Sequence, residues 1–248
     1  MAFNNKTVVI TGGSKGIGAA CVELFLQEGA NVAVLDIVEA GNDKGYYQHC
    51  DVSIEEEVKS CIGNIIKKFG DVDVLVNNSG IQRYGSVTET TSALWDEVMN
   101  VNLKSAFLCS HYCIPSMLNK RGGVIINVAS VQSFVSQQNV AAYTTSKTAL
   151  LGLTRSIAVD YSPNIRCVAV CPGTVDTPML RDAINLSPDP AAVLKECEDM
   201  HLLKRIAQPN EIAELIKFLC EDKAAFITGQ AIRIDGGLGI MVQGSKKD

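Results

Sequence analysis

Seven short runs rich in β-branched residues punctuate this chain: TVVIT, NVAVLD, YYQHCDV, DVLVNN, VIINVAS, IRCVAVCPG and AIRIDGG. Most are apolar at consecutive positions, without the alternation of a half-exposed strand. A strand that is apolar on both sides must be covered on both sides, as parallel strands flanked by helices are. Between the runs lie stretches with helical spacing: AACVELFLQEG, EEVKSCIGNIIKKFG, a long one from Ser92 to Asn119, another from Ala141 to Asp160, and EIAELIKFLCED. This βαβ series predicts an α/β fold, a doubly wound Rossmann architecture with a parallel seven-stranded sheet and helices on both faces. With 248 residues, 47% of them hydrophobic, the chain suits a single domain over 1–248.

One segment breaks the rhythm. Residues 177–209 carry Pro178, Pro188, Pro190 and Pro209 and hold about a helix and a half without a strand. It follows a strand's carboxyl end, where open α/β sheets bind ligands, so it is expected to be a substrate lid. The tail, residues 238–248, begins with apolar Leu238, Ile240 and Met241, which would be costly in free solution and are expected to dock on a neighbouring subunit.

The formal net charge of -5 and the lack of any Lys/Arg run longer than a pair, such as the terminal Lys246–Lys247, argue against a nucleic-acid partner. No run of about eighteen apolar residues and no basic leader is present, so no membrane span is expected and the protein is expected to be soluble and cytoplasmic. Nine cysteines, an odd number with several inside apolar runs, read as buried reduced thiols. Cys109 and Cys113 are one helical turn apart, but nothing nearby completes a ligand set, so no metal is expected. His49, His111 and His201 sit in no catalytic pattern and are read as structural or surface residues.

The stretch TGGSKGIG, residues 11–18, follows the first strand and opens the first helix. Gly12, Gly16 and Gly18 let the backbone turn tightly and approach a pyrophosphate, which then faces free amides at a helix N-terminus. Asp36 ends the second strand, where a carboxylate accepts from ribose hydroxyls and repels a 2′-phosphate. That favours NAD over NADP, with Glu39 and Asp43 adding negative charge nearby and Lys15 as the contrary signal. Tyr143 and Lys147 share one helical face, so the ammonium is expected to lower the tyrosine pKa and make it a general acid/base.

These motifs, with CDV at 50–52, NNSG at 77–80, NVN at 100–102, Ser130 and PGTVDTP at 172–178, resemble the short-chain dehydrogenase/reductase family. The resemblance implies roles residue by residue. Tyr143 would be the acid/base, Ser130 would hydrogen-bond the reacting oxygen, Lys147 would bind the nicotinamide ribose, and Asn102 would hold a water in a proton relay. Ser14, Lys15 and Ile17 would join the glycines at the cofactor, Asp51 and Val52 would contact adenine, and Asn78 and Gly80 would border the ribose. Pro172, Gly173, Val175 and Thr177 would position the carboxamide. Ser79 stands where the family has alanine, a small exchange that leaves backbone contacts intact.

Residues expected to line the substrate pocket are rich in amides: Gln82, Gln132 and Gln138, with Gln137 and Asn139, beside Arg83 and Tyr84. Amides offer donors and acceptors together, which suits a polyhydroxylated substrate. The stretches NNSGIQRYG, NVASVQ and RCVAVCPGTVDTPM also resemble the NAD-dependent aldose dehydrogenase branch, aldohexose and glucose 1-dehydrogenases. A sugar or polyol dehydrogenase is the reading; the alternatives are a 17β-hydroxysteroid or 3-oxoacyl reductase of the same family, or a non-catalytic dinucleotide sensor. The resemblance further implies a homotetramer, a dimer of dimers, paired through the helix AAYTTSKTALLGLTRSIAVD and the long one before it.

Overall fold

The computed structural model describes residues 2–39, 45–120 and 122–240. Seven strands form one parallel sheet: β1 Thr7–Thr11, β2 Asn31–Asp36, β3 Tyr46–His49, β4 Val74–Asn77, β5 Gly123–Val128, β6 Ile165–Pro172 and β7 Ala231–Ile234. Their order, β3-β2-β1-β4-β5-β6-β7, reverses direction between β1 and β4. The two crossovers diverge there and leave a crevice at the strands' carboxyl ends.

Each strand reads as apolar throughout because each face has its own cover. In β1, Val8 and Ile10 join a core with α1, Gly16–Gln27, and α8, Pro209–Cys220, whereas Val9 joins the opposite core. That second core is shared with α2, Glu55–Phe69, α4, Ser105–Asn119, and α5, Ala141–Tyr161. β3 is shorter than YYQHCDV suggested. Asp51 leaves the ladder because its main-chain N–H donates to Glu57 Oε2 at 2.8 Å and its carboxylate turns back onto Ser53, which starts the approach to α2.

The long helical stretch from Ser92 is continuous but irregular. α3, Ser92–Met99, runs into one π turn, Asn100–Lys104, and then into α4. The 177–209 segment holds two short helices, α6 Pro178–Ile184 and α7 Pro190–Asp199, each started by a proline behind a side-chain cap, Thr177 and Asp189. All nine cysteines are free thiols, Cys197 being the one that is not fully buried. Among the described residues no helix is long and apolar enough to cross a membrane. Asp43 and residues 241–248 lie outside the described residues, so most of the expected docking tail does too.

Candidate active site

The loop from β1 to α1 is shaped by what its glycines lack. Gly12 and Gly16 adopt φ of +62° and +54°, and a Cβ on Gly18 would lie 2.1 Å from the Gly12 carbonyl oxygen. Asn78 Nδ2 donates to the carbonyls of Thr11 and Gly12, both at 3.0 Å, while Thr11 Oγ1 accepts from the amides of Asn78 and Ser79. The two strand-end loops are thus stapled together across the switch point. Lys15, exposed at the rim, places no side chain on the start of α1, so the first-turn amides, including Ile17 and Gly18, keep no intrahelical partner.

Asp36 closes the same cradle. One carboxylate oxygen accepts from the Ser14 amide at 3.0 Å and the other from the Val38 amide at 3.1 Å. Each oxygen retains a second lone pair for a ribose hydroxyl. Cys50 N–H donates to the Asp36 carbonyl, so Asp51 and buried Val52 follow directly alongside, with the Asp51 carboxylate taking both the amide and hydroxyl of Ser53.

Four elements bring the catalytic candidates together. Ser130 follows β5, is buried, and accepts from the Gln132 amide at 3.1 Å. Tyr143 and Lys147 lie in the first turns of α5, with Lys147 Nζ 5.8 Å from the Tyr143 ring centroid. Nζ donates to the Val128 carbonyl at 2.8 Å. A Cβ on Gly80 would come within 3.2 Å of that Nζ, so the missing side chain at position 80 is what admits the amine. Asn102, in the π turn, uses Oδ1 to accept from Ile81 N–H at 2.8 Å and Nδ2 to donate to the Ile81 carbonyl and to Ser146 Oγ. Both side-chain N–H groups are committed, so Asn102 clamps the loop after β4, and Oδ1 keeps one lone pair beside its bond to Ile81.

The electrostatics differ from the sequence expectation. Burial pushes the Tyr143 phenol above its ordinary value, opposed by a hydrogen bond from the Ser130 hydroxyl. Burial also lowers Lys147 to about 8, opposed by the neighbouring Cys171. The ammonium was expected to lower the tyrosine; here it is directed at a carbonyl, desolvation disfavours charge on both groups, and desolvation wins.

The far wall is the loop after β6. Pro172 ends the strand, Gly173 N–H donates to the Ile234 carbonyl at 3.1 Å, and Val175 pairs with Ala207. Thr177 caps α6, and its methyl group would lie 3.1 Å from a Cβ on Gly16, so this loop and the glycine loop border one cleft. Asp176 is held there by a bidentate pair with Arg181 at 2.7 Å, which lowers its pKa.

On the substrate side the amides are unequal. Gln132 is engaged with Gln137 at 3.4 Å and Thr144 at 3.2 Å, whereas Gln138 and Asn139 are exposed and Gln82 is half-buried. Arg83 is drawn away to Glu97 at 2.7 Å. The Gly85 amide donates to the Asn139 carbonyl at 2.7 Å, zipping the loop after β4 to the one before α5. His201, read from the sequence as structural or surface, is structural: it is buried, and its Nε2 accepts from the Thr174 amide in the loop after β6. A lone histidine has no spacing partner, so no sequence signal marked it.

A family model described as enoyl-(acyl carrier protein) reductase matches residues 12–239. A "Dehydrogenase/reductase SDR family member 6" from Aquarana catesbeiana is 38% identical over 95% of this chain and 98% of its own. This chain belongs to the short-chain dehydrogenase/reductase family. An uncharacterized oxidoreductase of Thermotoga maritima is likewise 38% identical, over 96% of this chain and 98% of its own. Among solved structures, ligand-free aldohexose dehydrogenase of Thermoplasma acidophilum superposes with a TM-score of 0.96 at 40% identity, over 99% of this chain and 98% of that one. As a short-chain dehydrogenase/reductase the protein is an oxidoreductase that uses a nicotinamide dinucleotide.

Proposed function

We propose that this short-chain dehydrogenase/reductase is an NAD-dependent dehydrogenase that oxidises a secondary or anomeric hydroxyl of a small polyhydroxylated molecule, a sugar or polyol. The observation that carries the chemistry is the convergence of Ser130, Tyr143 and Lys147 beside a glycine cradle whose rim carries Asp36. The cradle fits a dinucleotide: Gly12 and Gly16 turn it at positive φ, its helix amides are uncapped, and Asp36 opposes a 2′-phosphate. The aldohexose dehydrogenase relative and the amides around Gln82, Gln132 and Gln138 support the substrate class.

Bound NAD supplies the hydride acceptor. Tyr143 takes the hydroxyl proton once it has lost its own, which burial in the unliganded site opposes and the Ser130 hydroxyl assists; Ser130 donates to the reacting oxygen as its charge changes, and Lys147 would turn from the Val128 carbonyl to the ribose. Asn102 keeps the loop after β4 closed behind them, and the remaining lone pair of its Oδ1 is available to a relay water. Residues 177–209, as a lid, exclude water from the reacting centre. Exposed Phe107 and Leu118 on α4 and Val159 on α5 support assembly through these helices into a homotetramer in the cytoplasm.

The test is reduced-nicotinamide absorbance with NAD or NADP across aldoses, polyols, hydroxysteroids and secondary alcohols, with Tyr143→Phe as blank. Sugar turnover with NAD, lost in the variant, is expected. Turnover confined to hydroxysteroids, or to a 3-oxoacyl thioester with NADPH, would replace the substrate class; the carboxylate at Asp36 opposes the NADPH-linked alternative. Scattering that shows a monomer would remove the tetramer.

A further inference from the structure

His49 and His111 are exposed, whereas His201 is 2% exposed and sits just beyond the end of α7. Its Nδ1 lies 2.7 Å from the Cys197 carbonyl oxygen on α7. A carbonyl only accepts, so Nδ1 carries the proton. Its Nε2 lies 3.1 Å from the Thr174 amide, which only donates, so Nε2 carries the lone pair. A single neutral tautomer satisfies both bonds. The ring is also fenced by absent side chains. A Cβ on Gly173 would come within 2.8 Å of Nε2, and one on Gly236 within 3.2 Å of Cδ2. The small cavity of about 80 Å³ beside it is lined by the charged groups Arg205, Glu211 and Asp235.

Two parts of the site meet at this ring. On one side is α7, which buries none of its residues and is otherwise loosely attached. On the other is the strand-end loop around Thr174, whose neighbours Gly173, Val175 and Thr177 would, by the family resemblance, position the nicotinamide carboxamide. We propose that His201 is a positioning residue that couples α7 to this loop, so that the cover over the substrate and the seat of the nicotinamide move as one. The proposal rests on the NAD reading for its consequence, but its geometry can be tested without cofactor.

The two bonds can be cut separately. His201→Asn keeps an N–H near the Nδ1 position and loses the acceptor for Thr174; His201→Gln keeps an acceptor near the Nε2 position and loses the donor to Cys197. The expected result is about a tenfold rise in the NAD dissociation constant for His201→Asn, with fast amide exchange at Thr174. For His201→Gln, NAD affinity is expected within about twofold of wild type, with exchange accelerated along α7 instead. Equal losses in both variants that track the fall in Tm would reduce His201 to packing and overturn the proposal, as would unchanged exchange at both places. If the variants do not fold, nitrogen NMR of the wild-type histidines decides: protonated Nδ1 with unprotonated Nε2 at His201 is expected, and a proton on Nε2 overturns the coupling. Failure of NAD to bind wild type would sink the functional reading while the exchange and tautomer results still judge this one.

Discussion

The glycine-loop side of the cleft and the segment proposed as its cover, residues 177–209, are built to opposite specifications. On the side of the glycine loop, Thr11 accepts from two main-chain amides, Asn78 and Asn102 spend their side-chain N–H groups on fixing the loops after β1 and β4, and Gly18 sits where no atom can be added. In the cover, α6 buries Ile184 and α7 buries nothing. Regions with few buried contacts open locally at low free energy, and binding lids are drawn from them. If 177–209 is the proposed lid, the contrast separates what holds its shape before the substrate arrives from what yields when it does.

Substitutions on the rigid side are expected to show the larger effects. Tyr143→Phe should cost about 10³-fold or more in turnover with NAD affinity kept, read by steady-state rates beside a binding titration. Retained turnover would move the acid/base elsewhere. Gly18→Ala should cost about 2–3 kcal/mol in urea unfolding, because its Cβ would meet main chain 2.1 Å away. Gly63→Ala, in exposed α2 with nothing within 4 Å, should instead stabilise by about 0.5–1 kcal/mol.

Lys147 sharpens the comparison from the side of charge. Its folded pKa of about 8 lies below its unfolded value of about 10.4, so the unfolded chain holds more protons between the two and stability rises with pH across that window. The cost of the buried cation is present in full below about pH 8. Lys147→Met should therefore unfold later than wild type at pH 7, by about 1–3 kcal/mol after the lost bond to Val128, and the gap should close toward pH 10. A less stable variant at pH 7 would mean that the amine is not desolvated. The smallest effect is expected in the cover: Leu194→Ala on α7 should cost under about 1 kcal/mol, against about 2–5 for Leu150→Ala in the core, by the same unfolding measurement.

The sheet was legible because a strand covered on both faces has to be apolar at every position, and the glycine loop because only a missing Cβ permits its turns. Ser130, Tyr143 and Lys147 were legible through the order and spacing of the motifs they close. What could not be read depends on partners distant in sequence. Lys147 is aimed at the carbonyl of Val128, Asn102 at both main-chain groups of Ile81, and His201 at an amide of the β6 loop. Gln132 could be counted as an amide, but not as one already bonded to Gln137 and Thr144.

The π turn at Asn100–Lys104 carries a consequence for how this chain can change length. It holds one residue more than an α-helical turn would, in the middle of a helix running from α3 into α4. Each residue rotates a helix by about 100°. Deleting one residue here would relax the turn to regular helix, swing Asn102 away from Ile81, and turn the apolar stripe of α4 out of phase with the sheet it covers. A one-residue deletion between Asn100 and Lys104 is therefore expected to cost more than a substitution at the same positions.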